Sequence, residues 1–114
     1  MAKLNYLELP VSDVAATKAF YAAAFGWAFT DYGPDYAAAE DMPAQLGLNG
    51  THAPGRPAAP LPVIEVAAIE DALAAVEAAG GEVTVPIFAY PGGRRFHFRD
   101  PAGNELAVAQ PGDA

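Results

Sequence analysis

A chain of 114 residues with 53% hydrophobic and 18% charged residues has the composition of one compact folded domain, or of two half-sized units sharing a core, and not of a disordered segment. Its formal net charge of −8 argues against nucleic-acid or anionic-membrane partners, which need clustered Lys and Arg. Cysteine is absent, which excludes disulfides, thiolate metal sites and a cysteine nucleophile and fits a reducing cytoplasm. The N-terminal MAKLNYLELP lacks the basic and apolar regions of a signal peptide, and no apolar run is long enough to span a membrane.

In chain order, Lys3 to Val11 reads as a strand, with Leu7, Leu9 and Val11 on one face and Tyr6 and Glu8 on the other. Ser12 or Asp13 is a suitable N-cap for a helix from Val14 to Phe25, which Gly26 ends. Trp27 to Tyr32 is aromatic and strand-like. Gly33-Pro34-Asp35 makes a turn, and Tyr36 to Glu40 and Gln45 to Leu48 follow as weaker strands, because alanine has little β preference. Asn49 to Pro60 is rich in Gly and Pro and reads as a linker or loop containing His52.

Leu61 to Val66 is the next strand. Ile69, Leu73 and Val76 then mark an amphipathic helix that Gly80-Gly81 closes. Glu82 to Val85 is a strand, and Pro86 to Pro91 fits no single class. From Arg94 to Gln110 the chain alternates, turns at Asp100-Pro101-Ala102-Gly103 and alternates again, predicting an antiparallel hairpin about a type I turn. Such a hairpin needs further strands or a helix against one face to be stable.

The order strand, helix, strands occurs twice. A shift of 55 places Leu9 on Ile64, Val11 on Val66, Tyr21 on Val76 and Gly26 on Gly81. The matching element order and helix stops point to an internal duplication of a βαβββ unit. The predicted divisions are module one at 3–49, a linker at 50–60 and module two at 61–110.

The segments LPVSDVAATKAFYAAAFGW, VEAAGGEV and FRDPAGNEL together resemble the vicinal oxygen chelate superfamily of glyoxalase, bleomycin-resistance and extradiol dioxygenase proteins, in the branch related to lactoylglutathione lyase. The resemblance runs from Leu4 to Val108. It implies an α+β fold of two tandem βαβββ modules whose curved mixed sheets enclose a cavity, completed in a homodimer. It also implies a divalent metal held by His, Gln or Glu side chains. Those positions fall here on Tyr6, on Leu61, on Ala107 and near Gln45 to Gly47. Leucine and alanine cannot ligate a metal, so the expected metal site is absent and no cofactor is expected, although a divalent ion at other residues stays open.

Two readings of function follow. One is a metal-free homodimeric domain that binds a small organic molecule through Tyr6, Trp27, Val63, Tyr90 and Glu105. The other is a lyase, isomerase or epimerase, metal-dependent or carboxylate-based, in which Glu8 and His97 transfer protons. Glu8 is placed inward because Leu7 and Leu9 need the helix-packed face, and a buried carboxylate is costly unless paired. His97 alternates with Arg95 and Arg99, opposite Phe96 and Phe98, a pattern that reads first as a solvated strand face with carboxylate partners. No phosphate loop, nucleophile elbow or His-Glu metal helix supports another class.

Overall fold

The computed structural model describes residues 2–51 and 58–112. The predicted linker therefore lies largely, and His52 entirely, outside the described residues. The elements are β1 Lys3–Pro10, α1 Val14–Phe25, β2 Thr30–Asp31, β3 Tyr36–Ala39, β4 Gln45–Asn49, β5 Leu61–Glu65, α2 Ile69–Ala78, β6 Glu82–Tyr90, β7 Gly93–Arg99 and β8 Glu105–Pro111. The chain divides into two compact units, one of residues 6–61 and one of residues from 62 onward joined by the first residues of β1. Each is a βαβββ arrangement, so the duplication read from the sequence is present in the fold.

In module one the strand order is β2-β3-β4-β1, with β1 and β4 parallel and the other pairs antiparallel. Asp13 caps α1 by accepting the amide of Ala16 at 2.9 Å, which satisfies one of the free donors of the first turn. Gly26 ends the helix at φ 73°, a left-handed conformation that glycine adopts without cost. The helix covers one face of the sheet. Ala39, Leu46 and Leu48 form the buried centre there, with Leu9, Val11, Tyr21, Trp27, Phe29 and Met42 packed around it.

In module two the order is β6-β7-β8-β5, again with the first and last strands of the unit, β5 and β8, parallel. Helix α2 has no capping side chain of its own at Ala68. Gln110 of β8 supplies the acceptor instead, taking the Ile69 amide at 2.9 Å. Ile69, Phe96 and Val108 are the core of this module, and Ile64, Leu73, Val76, Val83 and Phe98 pack on it. The predicted turn closes as read: the Gly103 amide donates to the Asp100 carbonyl at 2.9 Å.

Two elements differ from the sequence reading. Of the predicted strand from Trp27 to Tyr32, only Thr30–Asp31 pairs. The chain leaves the left-handed turn at Gly26 doubling back, so that Trp27 stacks on Tyr21 at 5.5 Å instead of entering the sheet. Conversely, β6 continues through Pro86 to Tyr90. It tolerates the proline because its register against β7 shifts between Val83 and Val85 and again between Val85 and Phe88.

Phe96 is fully buried at the centre of the second core. Phe96→Ala is expected to cost about 3–5 kcal/mol of unfolding free energy, lowering the urea midpoint at unchanged slope. A loss under about 1 kcal/mol would mean that the core is centred elsewhere.

Candidate functional site

Alternation in each strand sends the apolar set toward the helix and leaves a second, helix-free face. Four polar or charged side chains are buried among the described residues: Glu8 and His97, each 2% exposed, and Asn49 and Arg95. All four belong to helix-free faces. Glu8 and Asn49 do so in module one, where β1 and β4 run in register with Glu8 opposite Gly47. Arg95 and His97 do so in module two, where His97 lies opposite Ala107. Burying such groups is unfavourable unless they are hydrogen-bonded, so their collection on one side of each sheet is a costly feature that core packing does not require.

In module one the site is built around Glu8. Tyr36, at the start of β3, donates its hydroxyl to Glu8 Oε2 at 2.9 Å. Asn49, at the end of β4, donates its amide nitrogen to Glu8 Oε1 at 3.2 Å. Tyr6, two residues before Glu8 on the same face, meets the Tyr36 hydroxyl at 2.6 Å. Asn49 is itself oriented, because its Oδ1 accepts both the amide of Thr51 at 3.0 Å and the hydroxyl of Thr51 at 2.7 Å. The Tyr36 phenol is held far above the usual phenol range, by burial first and then by the negative charge of Glu8 and the neighbouring Tyr6.

Gly47 makes this possible. A Cβ at that position would overlap the hydroxyls of both Tyr6 and Tyr36. The two phenols therefore occupy space that only a residue without a side chain leaves over β4.

In module two, Glu105 of β8 accepts the Thr84 hydroxyl at 3.0 Å, and its Oε2 lies 3.5 Å from His97 Nδ1. Arg95 sits over the rings of Phe88 and Tyr90, at 5.7 Å and 5.8 Å from their centroids. The pairing of Phe88 with Arg95 across β6 and β7 brings that contact about. A cation against two aromatic faces is stabilised by the ring quadrupoles.

Of the residues predicted for the site, the structure brings Tyr6 and Glu8 together in module one. In module two it brings His97 to Glu105, and Tyr90 to Arg95. Val63 is buried on β5, paired with Ala107. Trp27 is placed on the other side, in the helix-packed cluster with Tyr21 and Phe25, because the turn at Gly26 folds it back on α1. The solvated-face reading of the 94–99 strand is corrected for Arg95 and His97, which are buried, and holds for Arg99, which is exposed and paired with Glu82. Asn49 and Thr84 are not among the site candidates that the sequence offers. Asn49, which the sequence reading places both at the end of module one and at the start of the Gly- and Pro-rich loop, closes β4, as its even spacing from Gly47 and Gln45 indicates.

The metal ligand set that the resemblance implies does not fit these residues. Leu61 and Ala107 are buried without a donor atom and the Tyr6 phenol is engaged with Tyr36, so of the implied positions only the stretch Gln45 to Gly47 offers a ligand of the family's type, Gln45. Among the described residues, no three His, Asp or Glu side chains are grouped so as to hold a metal ion. A cleft of 490 Å³ at the end of β5, lined by Lys3, Glu65, Val66, Ala67, Gln110 and Pro111, takes in none of the buried polar residues.

Two βαβββ units, each with its first and last strands paired in parallel and with a polar helix-free face, define the class of glyoxalase-like proteins. Over residues 3–108 the chain matches the Glyoxalase/Bleomycin resistance protein/Dioxygenase superfamily, and it belongs to that superfamily. No curated protein matches it. Among solved structures it is similar to an NAD-dependent benzaldehyde dehydrogenase from Legionella pneumophila, at 15% identity and TM-score 0.81, covering 95% of this chain and 99% of that one. It is also similar to methylmalonyl-CoA epimerase from Mycobacterium tuberculosis, at 11% identity and TM-score 0.72, covering 96% and 88%. A Mn(II)-bound glyoxalase from Novosphingobium aromaticivorans is 27% identical with TM-score 0.61, covering 96% of this chain and 40% of that chain. The first two likenesses are of fold. No helix among the described residues is long and apolar enough to cross a membrane.

Two predictions follow from the Glu8 cluster. Gly47→Ala should destabilise the protein by about 1–3 kcal/mol through overpacking against two phenols, measured by urea unfolding. A neutral effect would show that the phenols are not where they are described. Because the Tyr36 proton is held more tightly in the folded state, stability should fall as pH rises above about 10, where an unfolded phenol ionises. Tyr36→Phe should flatten that decline in thermal melts, and an unchanged decline would contradict the assignment.

Proposed function

We propose that this domain binds a small organic molecule against the helix-free faces of its sheets and does so without the superfamily's metal. The observation that carries this reading is the segregation of buried polar groups: Glu8, Asn49, Arg95 and His97 all lie away from the helices. Oriented polar side chains beside aromatic rings are the usual lining of a small-molecule site. The reading includes a homodimer, as the family resemblance implies, and a cytoplasmic setting, supported by the absence of cysteine.

A second reading, proton transfer by a lyase, isomerase or epimerase, is favoured by one observation. Glu105, held by Thr84, stands beside His97 Nδ1, an arrangement that orients an imidazole for general acid–base work. It predicts that His97→Asn abolishes exchange, in D2O, of a hydrogen on the carbon next to a carbonyl of a bound ligand. If no carbonyl compound that binds shows such exchange with the wild type, that reading fails.

Elemental analysis of freshly purified protein tests the metal-free proposal. Zn, Ni, Fe and Mn should be far below one per chain, and chelator dialysis should leave the melting temperature unchanged. Stoichiometric metal would contradict it. A thermal-shift screen of small aromatic amines, alcohols and acids tests binding. A ligand at about 100 times its Kd adds about 2.7 kcal/mol of stability, a rise of several degrees. A screen in which no such class raises the melting temperature would sink the binding reading.

A further inference from the structure

The duplication supplies an internal control for the outer face of helix α1. Under the shift of 55 that aligns the modules, Ala15, Ala16, Phe20 and Ala22 fall on Glu70, Asp71, Ala75 and Glu77 of α2, and all eight are exposed. The second helix thus turns carboxylates to the solvent, as a surface helix does. The first is apolar nearly all the way round and has no acidic residue from Val14 to Phe25. Its one cation, Lys18, is paired with Asp31 at 2.7 Å. A helix of that kind is ordinarily covered on both sides, whereas here only the side of Val14 and Tyr21 is packed inward.

Two aromatic rings of α1 are left in the solvent. Phe20 and Phe25 are 60% and 61% exposed. Both are held in place, Phe20 edge-on to Tyr21 at 5.1 Å, and Phe25 at 6.3 Å from Tyr21 and 5.2 Å from Trp27. Rings fixed in this way lose little rotamer freedom when something covers them, which suits them as anchors of an association.

Charge selects the occupant. Each copy of the chain carries −8, so two copies repel wherever their carboxylates meet. Val14–Phe25 brings no carboxylate to such a meeting, and a neutral face with protruding rings beside small alanines can complement itself across a two-fold axis. An anionic membrane would find there a single lysine, already paired. Area sets the strength. A helix of 12 residues is about 18 Å long and about 10–12 Å across, so its outward half presents on the order of 400 Å², or about 800 Å² for two copies. A stable interface needs about 1,200 Å² or more, so this one is weak and reversible.

We infer that the outward face of α1 is where two copies of this chain meet, in a reversible dimer anchored by Phe20 and Phe25. The inference rests on the homodimer of the reading above and gives it a surface.

Sedimentation of the full chain from about 1 μM to about 1 mM tests this. The wild type should pass from monomer to dimer within that range. Phe20→Glu and Ala23→Glu should each raise the dissociation constant at least about 100-fold, because each sets two like charges against one another in the contact. Ala23 is exposed and outside the ring cluster, so its variant tests the surface even where loss of the Phe20 ring loosens the helix. Ala75→Glu adds the same charge at the duplicate position on α2 and should leave the constant within about twofold. If the wild type dimerises and both α1 variants keep its dissociation constant, or if Ala75→Glu dissociates as they do, the surface is wrong and the homodimer stands. A wild type still fully dimeric at the lowest concentration would mean a larger interface than this face provides, and would overturn the inference in the same way. A wild type monomeric throughout would count against both.

Discussion

A carboxylate kept out of water has to be met by donors, and much of module one can be understood from how Glu8 meets that requirement. Helix α1 claims one side of the sheet for Leu9, Leu46 and Leu48, so β1 turns Glu8 to the other. There Tyr36 and Asn49 each donate to one of its oxygens. These partners come from the start of β3 and the end of β4, and the antiparallel pairing of those strands sets Tyr36 directly opposite Asn49. The same register that builds the core thus builds the polar cluster. A network of this kind contributes little net stability compared with well-packed apolar residues, and its value lies in presenting fixed donors and acceptors.

The duplication shows how one architecture carries two chemistries. Glu8 beside Gly47 in the β1·β4 pair corresponds to Val63 beside Ala107 in the β5·β8 pair. In module one the small residue makes room for two phenols and a carboxylate. In module two the corresponding pair is apolar, and the ionisable groups Arg95, His97 and Glu105 come from the hairpin that β7 and β8 form. Such divergence is expected of tandem repeats, since the apolar, helix-facing half of each strand is constrained by packing and the other half is not.

Legibility in the sequence follows that same division. The helices, their glycine stops, the Asp13 cap and the Asp100 turn were readable because each depends on a few adjacent residues with strong local preferences. The inward placement of Glu8 could be argued from alternation with Leu7 and Leu9. What required coordinates was anything set by pairing between distant strands. Nothing near Asn49 in the chain announces that it reaches Glu8, forty-one residues away. Trp27 carried a misleading signal, because an aromatic run after a helix looks like a strand until the direction taken at Gly26 is known. The stretch from Pro86 to Pro91 fits no single class in the sequence, for lack of any sign that β6 slips its register there.

The central claim is that Glu8 and Tyr36 are energetically coupled as an ionised acceptor and its donor. A double-mutant cycle in unfolding free energy, comparing wild type, Glu8→Gln, Tyr36→Phe and the double variant, measures that coupling directly. Glu8 and Tyr36 should show an interaction of about 1.5–3 kcal/mol, as for a hydrogen bond to a charged group. Additive effects, with a coupling indistinguishable from zero, would contradict the account.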